Sequence, residues 1–311
     1  MSNNTKHSLA ELHNKGIDIY DLLSVLWQSK ILIVVLTFTF LGAGVVYSLM
    51  LPNIYKAQAI MAPTEDSNSN AFSNTAGQFG GLASLAGVNL SNTGVDRVTI
   101  AMEILHSRAF IGDFIRKRNI SIQLLAPKSW NGKEMLIDED IYNTEASSWS
   151  DDVLIDGNKE PTEWDLYNAF MDITKASQDK TTGLVTVSIE HISPVIAKDW
   201  VDWLIIDLNQ HIKQKDVQEA QTSVVFLEEQ IKKTSIADMQ KMFYQLIEKQ
   251  YQVIMLANVR DQYMFKVLSP AVVPQNKSSP QRVLIIVVYT LFGFMFSAAI
   301  IFMRFFKNDG T

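Results

Sequence analysis

The chain has 311 residues, of which 47% are hydrophobic, and 27 lysine and arginine residues stand against 33 aspartate and glutamate residues. The net charge of −6 argues against a nucleic-acid partner, because a protein that neutralises phosphates needs a basic surface. The absence of cysteine excludes disulfide bonds, thiolate metal sites and cysteine nucleophiles. The length allows one large folded unit or two modest ones.

Two uncharged apolar runs, residues 31–50 and residues 283–303, enclose most of the sequence. A helix of about 20 apolar residues crosses a bilayer core of about 30 Å. We therefore predict two transmembrane helices, over residues 31–51 and 283–303, in contact with the lipid bilayer. Lys30, Arg282 and Arg304 lie at their ends, where long basic side chains reach the headgroups.

The short flanking segments predict the orientation in the membrane. Residues 1–30 and 304–311 carry lysine and arginine, so both ends are expected in the cytoplasm and residues 52–282 on the opposite side of the membrane. Just before the first apolar run, residues 17–29 place Ile17 and Trp27 on one apolar face, which is typical of an interfacial helix.

Residues 52–282 predict an α/β base domain with a long helical arm, so the fold class is α+β. The elements expected before the arm are a strand in 52–63, a Gly- and Ser-rich loop in 65–94, a helix in 95–119, a possible strand in 122–125, a helix in 161–176 and a strand in 183–192.

The arm begins at Ser193 and Pro194, which have the residue types preferred at the N-cap and first position of a helix. No glycine or proline interrupts the following residues 195–233, and a helix of that length is about 60 Å long. The polar residues 213–223 indicate that it leaves the base. Thr234 and Ser235 break the pattern before a second helix over residues 236–259, which should run antiparallel to the first, and a returning strand follows in 265–273.

Eight residues are candidates for contacts with another membrane protein or with other subunits. Leu227 and Leu246 belong to apolar stripes of the arm that neighbouring copies could bury. Pro270, Pro274 and Pro280 have fixed φ angles and predict a stiff connector to the second span. Arg282 is expected at the outer headgroups, Gly293 about halfway through the bilayer where a helix can approach closely, and Ser297 is a further small residue.

No catalytic motif is present, and none of the five histidines has a second histidine at metal-ligand spacing. Asp152, Asp156, Gly157 and Glu163 match positions of a calcium-binding loop, but Leu154 stands where an oxygen ligand is needed. A solvated acidic face explains this stretch better. We predict neither an enzyme nor a cofactor or metal site.

The order of these segments resembles the polysaccharide co-polymerases, also called Wzz-type chain-length determinants. The similarity lies in IDIYDLLSVLWQSK before the first span, GGLASLAG in the loop, SPVIAKDWVDWLIIDLN at the start of the arm, QYQVIMLANVRDQYMF in its second helix and beyond, and the prolines before the second span. The sequence ends eight residues after Met303, so the tyrosine-kinase domain of capsule-type relatives is not expected. Compared with that family, the second span is poor in glycine, with Gly293 alone.

The resemblance implies a non-enzymatic inner-membrane regulator of O-antigen chain length, which forms ring-like homo-oligomers and acts with a membrane-embedded polymerase on a lipid-linked polysaccharide. Enterobacterial common antigen or capsule is an alternative glycan. A two-span periplasmic sensor and a glycan hydrolase that measures chains by cleavage are alternatives from other classes.

Overall fold

The computed structural model describes residue 27 and residues 29–64, 97–150 and 160–308. The Gly- and Ser-rich loop, most of the interfacial helix and most of the calcium-loop-like sequence lie outside the described residues. The described chain forms two compact units, one with both apolar helices and one made of residues 53–278.

The first unit is a pair of apolar helices, α1 (Lys30–Met50) and α8 (Arg282–Asn308). Both are long and apolar enough to cross a membrane. Phe40 lies beside Phe296, and Tyr47 lies beside Tyr289, with ring centroids 5.8 and 5.9 Å apart. Because the residue numbers run in opposite directions, the helices are antiparallel. Helices are thus confirmed in both predicted spans, and the second continues beyond Met303.

The second unit contains an antiparallel sheet in the order β6–β7–β1–β8. The strands are β1 (Tyr55–Pro63), β6 (Thr174–Gln178), β7 (Val185–His191) and β8 (Phe265–Ser269). Alternate residues of β1 and β7 are buried on one face, as the period of a strand requires. They form one hydrophobic core with α2 (Arg97–His106), α3 (Arg108–Arg118), α4 (Ser121–Leu125), α5 (Glu163–Ile173) and the first half of α6 (Pro194–Lys233).

The predicted helix over residues 95–119 is two helices. Its break is at Ser107, which has an extended backbone and whose Oγ accepts a hydrogen bond from the N–H of Phe110, so it is the N-cap of α3. Asn119 then ends α3 with a left-handed backbone at φ 50°. The apolar stripe continues across the break, which is why the sequence pattern suggested one helix.

Two further predictions were wrong in detail. Residues 122–125 lie in helix α4, not in a strand, and a short apolar run of this kind does not distinguish the two. The predicted helix over 161–176 ends at Ile173, because Thr174 starts edge strand β6 and pairs with Ile189. Small two-stranded sheets form from β2 (Pro127–Trp130) with β3 (Met135–Ile137) and from β4 (Tyr142–Asn143) with β5 (Ser148–Trp149).

The arm consists of α6 and α7 (Ala237–Val259), which confirms the predicted pair of long helices. Residues 234–236 join them at one end. At the other end the chain after α7 is hydrogen-bonded to Asn209 in α6, so the two helices run antiparallel. Ser193 caps α6, with Pro194 at its first position, as predicted.

Candidate functional site

The arm is fixed to the base by Asn209, a buried residue of α6. Its Oδ1 accepts hydrogen bonds from the backbone N–H groups of Met264 and Phe265, at 2.8 and 2.9 Å. Its Nδ2 donates to the carbonyl oxygens of Ile205 and Phe265. All the hydrogen-bonding capacity of the amide is used, which makes burial of this polar group favourable. Asn209 therefore sets where the returning chain enters the sheet.

About two helical turns beyond Asn209, the side chain of Asp216 binds both Arg97 and Tyr263. Arg97 forms an ion pair with Asp216, and Tyr263 Oη donates to the same carboxylate at 2.9 Å. The Arg97 guanidinium also lies over the Tyr263 ring, 5.9 Å from its centroid. Burial and the neighbouring Asp216 raise the pKa of Tyr263, so its hydroxyl stays protonated and can donate.

Asp207 connects the first half of α6 to α3. Its buried carboxylate accepts hydrogen bonds from Lys117 at 2.6 Å and from Arg118 at 2.9 Å. Burial alone would raise the pKa of Asp207, but the bonds from Arg118 and Lys117 keep it below its usual value. The carboxylate is therefore ionised at neutral pH, and the ion pairs hold α6 against the base.

Further along the arm, α6 and α7 bury one apolar face against each other and expose another. Leu227 and Leu246 are half-buried, and Val224 and Ile247 are buried. The exposed apolar side chains include Phe226, at 60% exposure, and Tyr251, at 49%. Others are Val225, Ile236, Met239, Met242, Tyr244, Met255, Leu256 and Val259. So large an exposed apolar surface on two neighbouring helices is typical of a protein contact.

Small residues permit the close contact in the membrane-helix pair. A Cβ added to Gly293 would lie 2.7 Å from Phe40 Cβ, and one added to Gly44 would lie 2.8 Å from Tyr289 Cβ. Ser297 is fully buried, and its Oγ donates to the carbonyl of Phe294. The helix that approaches Gly293 is therefore the chain's own α1, so this face of α8 is already occupied.

The predicted connector lies outside regular structure. Pro270 is exposed, and Pro274 and Pro280 are half-buried. Near its end, Ser278 N–H donates to the carbonyl of Ile54 at 2.8 Å, which ties the connector to the start of β1 within the second unit. Arg282 is the first residue of α8. The structure thus places Gly293 and Ser297 on the buried face of α8, and it leaves Leu227 of α6 and Leu246 of α7 half-buried.

Sequence reasoning missed several of these residues. Asn209 lies between Leu208 and Gln210, only two residues after Asp207, so the sequence around it is mixed and does not show which polar side chain is buried. Gly44 is a small residue in the first span, where the same argument used for Gly293 applies. The contacts of Asp207 and Asp216 join residues about 90 and 119 positions apart, which no local pattern reveals.

Metal-ligand side chains do not cluster in the described residues. Among those residues, no group of three or more histidine, aspartate and glutamate side chains could hold a metal ion. His191 is buried, with its Nδ1 accepting from Ser193 N–H and its Nε2 3.0 Å from the carbonyl oxygen of Gln123. Both ring nitrogens therefore bind backbone groups and support the structure.

The fold is that of a protein with two candidate membrane helices, an α/β base and a long helical arm. Residues 15–118 match the family model of the Wzz chain length determinant protein, and residues 234–306 match that of the "G-rich domain on putative tyrosine kinase". The first match confirms, over residues 15–118, the resemblance to Wzz-type chain length determinants that the sequence predicted.

Solved structures similar to this chain include two polysaccharide co-polymerases. A "full-length bacterial polysaccharide co-polymerase" is 14% identical and covers 94% of this chain and 99% of its own, with a TM-score of 0.39. A fragment of WzzB, the polysaccharide co-polymerase from Salmonella Typhimurium, is 10% identical and covers 73% of this chain and 99% of its own, with a TM-score of 0.33. The comparison with curated proteins found no match.

Proposed function

We propose that this chain is a non-enzymatic regulator of O-antigen chain length in the inner membrane of a Gram-negative bacterium. In this proposal both termini are cytoplasmic, the base and arm are periplasmic, and several copies form a ring that acts with the membrane-embedded O-antigen polymerase. The match of residues 15–118 to the chain length determinant family carries the proposal. Enterobacterial common antigen or capsule is the alternative glycan.

The exposed apolar surface of the arm supports the proposed self-association. Phe226 and Tyr251 expose about half of their area or more, although the same helices already bury Val224 and Ile247 against each other. A second copy could cover these side chains, and burying apolar area contributes about 25 cal/mol per Å². Repetition of one such contact around an axis closes a ring.

In this proposal the connector and the membrane pair influence the contact with the polymerase indirectly. Pro270, Pro274 and Pro280 restrict the φ angles of the segment that leads from the base to α8. Substitution of Pro274 or Pro280 by alanine should therefore shift the modal glycan length. Gly293 and Ser297 would act indirectly, because they set the packing of α8 on α1.

Charged substitutions on the arm test both assembly and function. Phe226→Asp and Tyr251→Asp should shift the detergent-solubilised protein to smaller species in light scattering, because an unpartnered charge at a buried contact costs several kcal/mol. Gln221→Asp and Gln252→Asp add the same charge at exposed polar positions of the same helices and serve as controls.

Lipopolysaccharide gels of a deletion strain expressing each variant give the functional outcome. Deletion should abolish the modal length, and the two variants at the apolar positions should fail to restore it while the controls restore it. Unchanged lipopolysaccharide in the deletion strain, with an altered capsule or enterobacterial common antigen, would assign the protein to the alternative glycan. Oligomers of normal size in both aspartate variants would contradict the assignment of this surface to self-association.

A further inference from the structure

An exposed aromatic cluster lies on the base, where α5 meets α3. It consists of Trp164 and Tyr167 of α5 and Arg108 of α3. Trp164 is 54% exposed, although it belongs to the helix that also places Phe170 in the core. The Trp164 and Tyr167 ring centroids are 5.8 Å apart at an interplanar angle of 31°, and the Arg108 guanidinium lies 5.4 Å from the centroid of Trp164.

The cluster is held in place before any ligand binds. Tyr167 Oη donates to the carbonyl of His106 at 2.9 Å, which fixes that ring. Next to Trp164, Glu163 accepts from Arg116 of α3 at 2.6 Å, which ties the first turn of α5 to α3. The capping box of Thr162 and Asp165 orders the same turn. Fixed side chains lose little conformational entropy on binding, so the exposed indole is preorganised.

The surroundings of the indole combine apolar and polar groups. Gly112 of α3 has open space where a Cβ would lie, and Ala109 is exposed, so small residues border the cluster on α3. Asn168 is exposed one turn after Trp164 on α5, and its amide can both donate and accept hydrogen bonds. Arg108 supplies further N–H donors.

We propose that Trp164, Tyr167, Arg108 and Asn168 bind the polysaccharide whose length this protein controls. Sugar rings present C–H groups on one face and hydroxyls at the edge, so they match a flat aromatic surface that is bordered by guanidinium and amide groups. A glycan is favoured over a charged lipid headgroup, because the Arg108 charge already lies against the indole and the Arg116 charge is paired with Glu163. The proposal rests on the proposed function, since that function provides a glycan near the base.

Direct binding measurements on the full chain in detergent test this site. The probe is the polysaccharide released by mild acid from the host's own lipopolysaccharide, with maltohexaose for comparison, and binding is followed by saturation-transfer NMR. Trp164→Ala should weaken binding of the released polysaccharide at least tenfold. Trp164→Phe, which keeps an aromatic face, should retain most of it, and Arg108→Leu should weaken it less than Trp164→Ala.

Leu136→Ala is the control, because Leu136 is another exposed apolar residue of the base, in β3. It should bind like the unmodified chain. Absence of saturable binding by the unmodified protein, or equal binding by Trp164→Ala, would overturn the proposal. So would a change in oligomer size caused by Trp164→Ala with binding unaltered, since that result would make the cluster a subunit contact.

Deletion of the gene distinguishes failure of the proposed function from failure of the glycan site. If the proposed function is wrong, deletion of the gene leaves the lipopolysaccharide pattern unchanged. If the glycan site alone is wrong, deletion alters the pattern but Trp164→Ala neither weakens binding nor changes the modal length.

Discussion

Single buried residues determine how the arm is joined to the base. Asn209 binds the chain that returns from α7, and Asp207 binds α3, so one helix is held by an amide on one side and by ion pairs on the other. Such groups are favourable in a core because each has its partners. An amide left without a partner there destabilises the fold by about 1–3 kcal/mol, and a charge destabilises it by more.

His191 gives a pH-dependent prediction at the residue scale. Burial lowers its pKa below the usual value near 6.5, although the hydrogen bond to the Gln123 carbonyl opposes the shift. The native state therefore keeps His191 neutral while the unfolded chain takes up a proton. Stability is fully present above about pH 6.5 and falls as the pH decreases towards the native-state pKa, by about 1 kcal/mol per pH unit.

Denaturant unfolding of the full chain in detergent, at pH 7.5 and pH 5.5, measures this effect. His191→Asn removes the titrating group but keeps an oxygen that can accept from Ser193 N–H. This variant should lose less stability between the two pH values than the unmodified chain. An equal loss in both proteins would show that other groups cause the acid sensitivity.

At the scale of elements, local patterns predicted long helices well and short elements poorly. The α6 helix has a cap, a proline at its first position and an uninterrupted run, so its start at Pro194 and its end at Lys233 could be located. Edge strand β6 has the sequence TKASQ, which has little strand propensity and forms because it pairs with β7. Helix α4 likewise depends on its packing, with Leu124 in the core.

Only those parts of the candidate site that have a local sequence signature could be predicted. The prolines of the connector and Gly293 have special backbone or steric properties that are visible in sequence. The Trp164 cluster depends on α3 meeting α5, and the contact between Arg108 and Trp164 spans residues that no periodic pattern connects. Side-chain contacts between residues that are distant in sequence are recognised only from the tertiary structure.

The contact between α1 and α8 gives a prediction at this scale. Gly293→Leu places a branched side chain where a Cβ alone would lie 2.7 Å from Phe40 Cβ, so the helices must separate. Overpacking of this kind costs about 1–3 kcal/mol.

Gly42→Leu is the control, since a Cβ at Gly42 meets nothing within 4 Å. A disulfide between cysteines introduced at Phe40 and Phe296 should form more slowly in Gly293→Leu than in Gly42→Leu, and equal rates would contradict the packing.

At the scale of the whole molecule, the two units perform different tasks in the proposed function. In that proposal, the apolar helices would anchor the chain, and the base and arm would present surfaces to other copies and to glycan. The family model for the chain length determinant spans α1, β1 and the helices up to α3, so it includes parts of both units. The proposed orientation decides which compartment each surface faces.

Cysteine labelling tests that orientation cleanly, because the chain contains no cysteine. Ser148→Cys lies on an exposed strand of the base, and Asn308→Cys is the last residue of α8. With periplasmic base and cytoplasmic termini, a membrane-impermeant thiol reagent should label Ser148→Cys in intact spheroplasts and should label Asn308→Cys after the membrane is opened. Ala59→Cys is the control for accessibility, since Ala59 is fully buried in β1 and should react in neither case. Labelling of Asn308→Cys in intact spheroplasts would contradict two spans with internal ends, because a second helix that crosses the bilayer returns the chain to the cytoplasm.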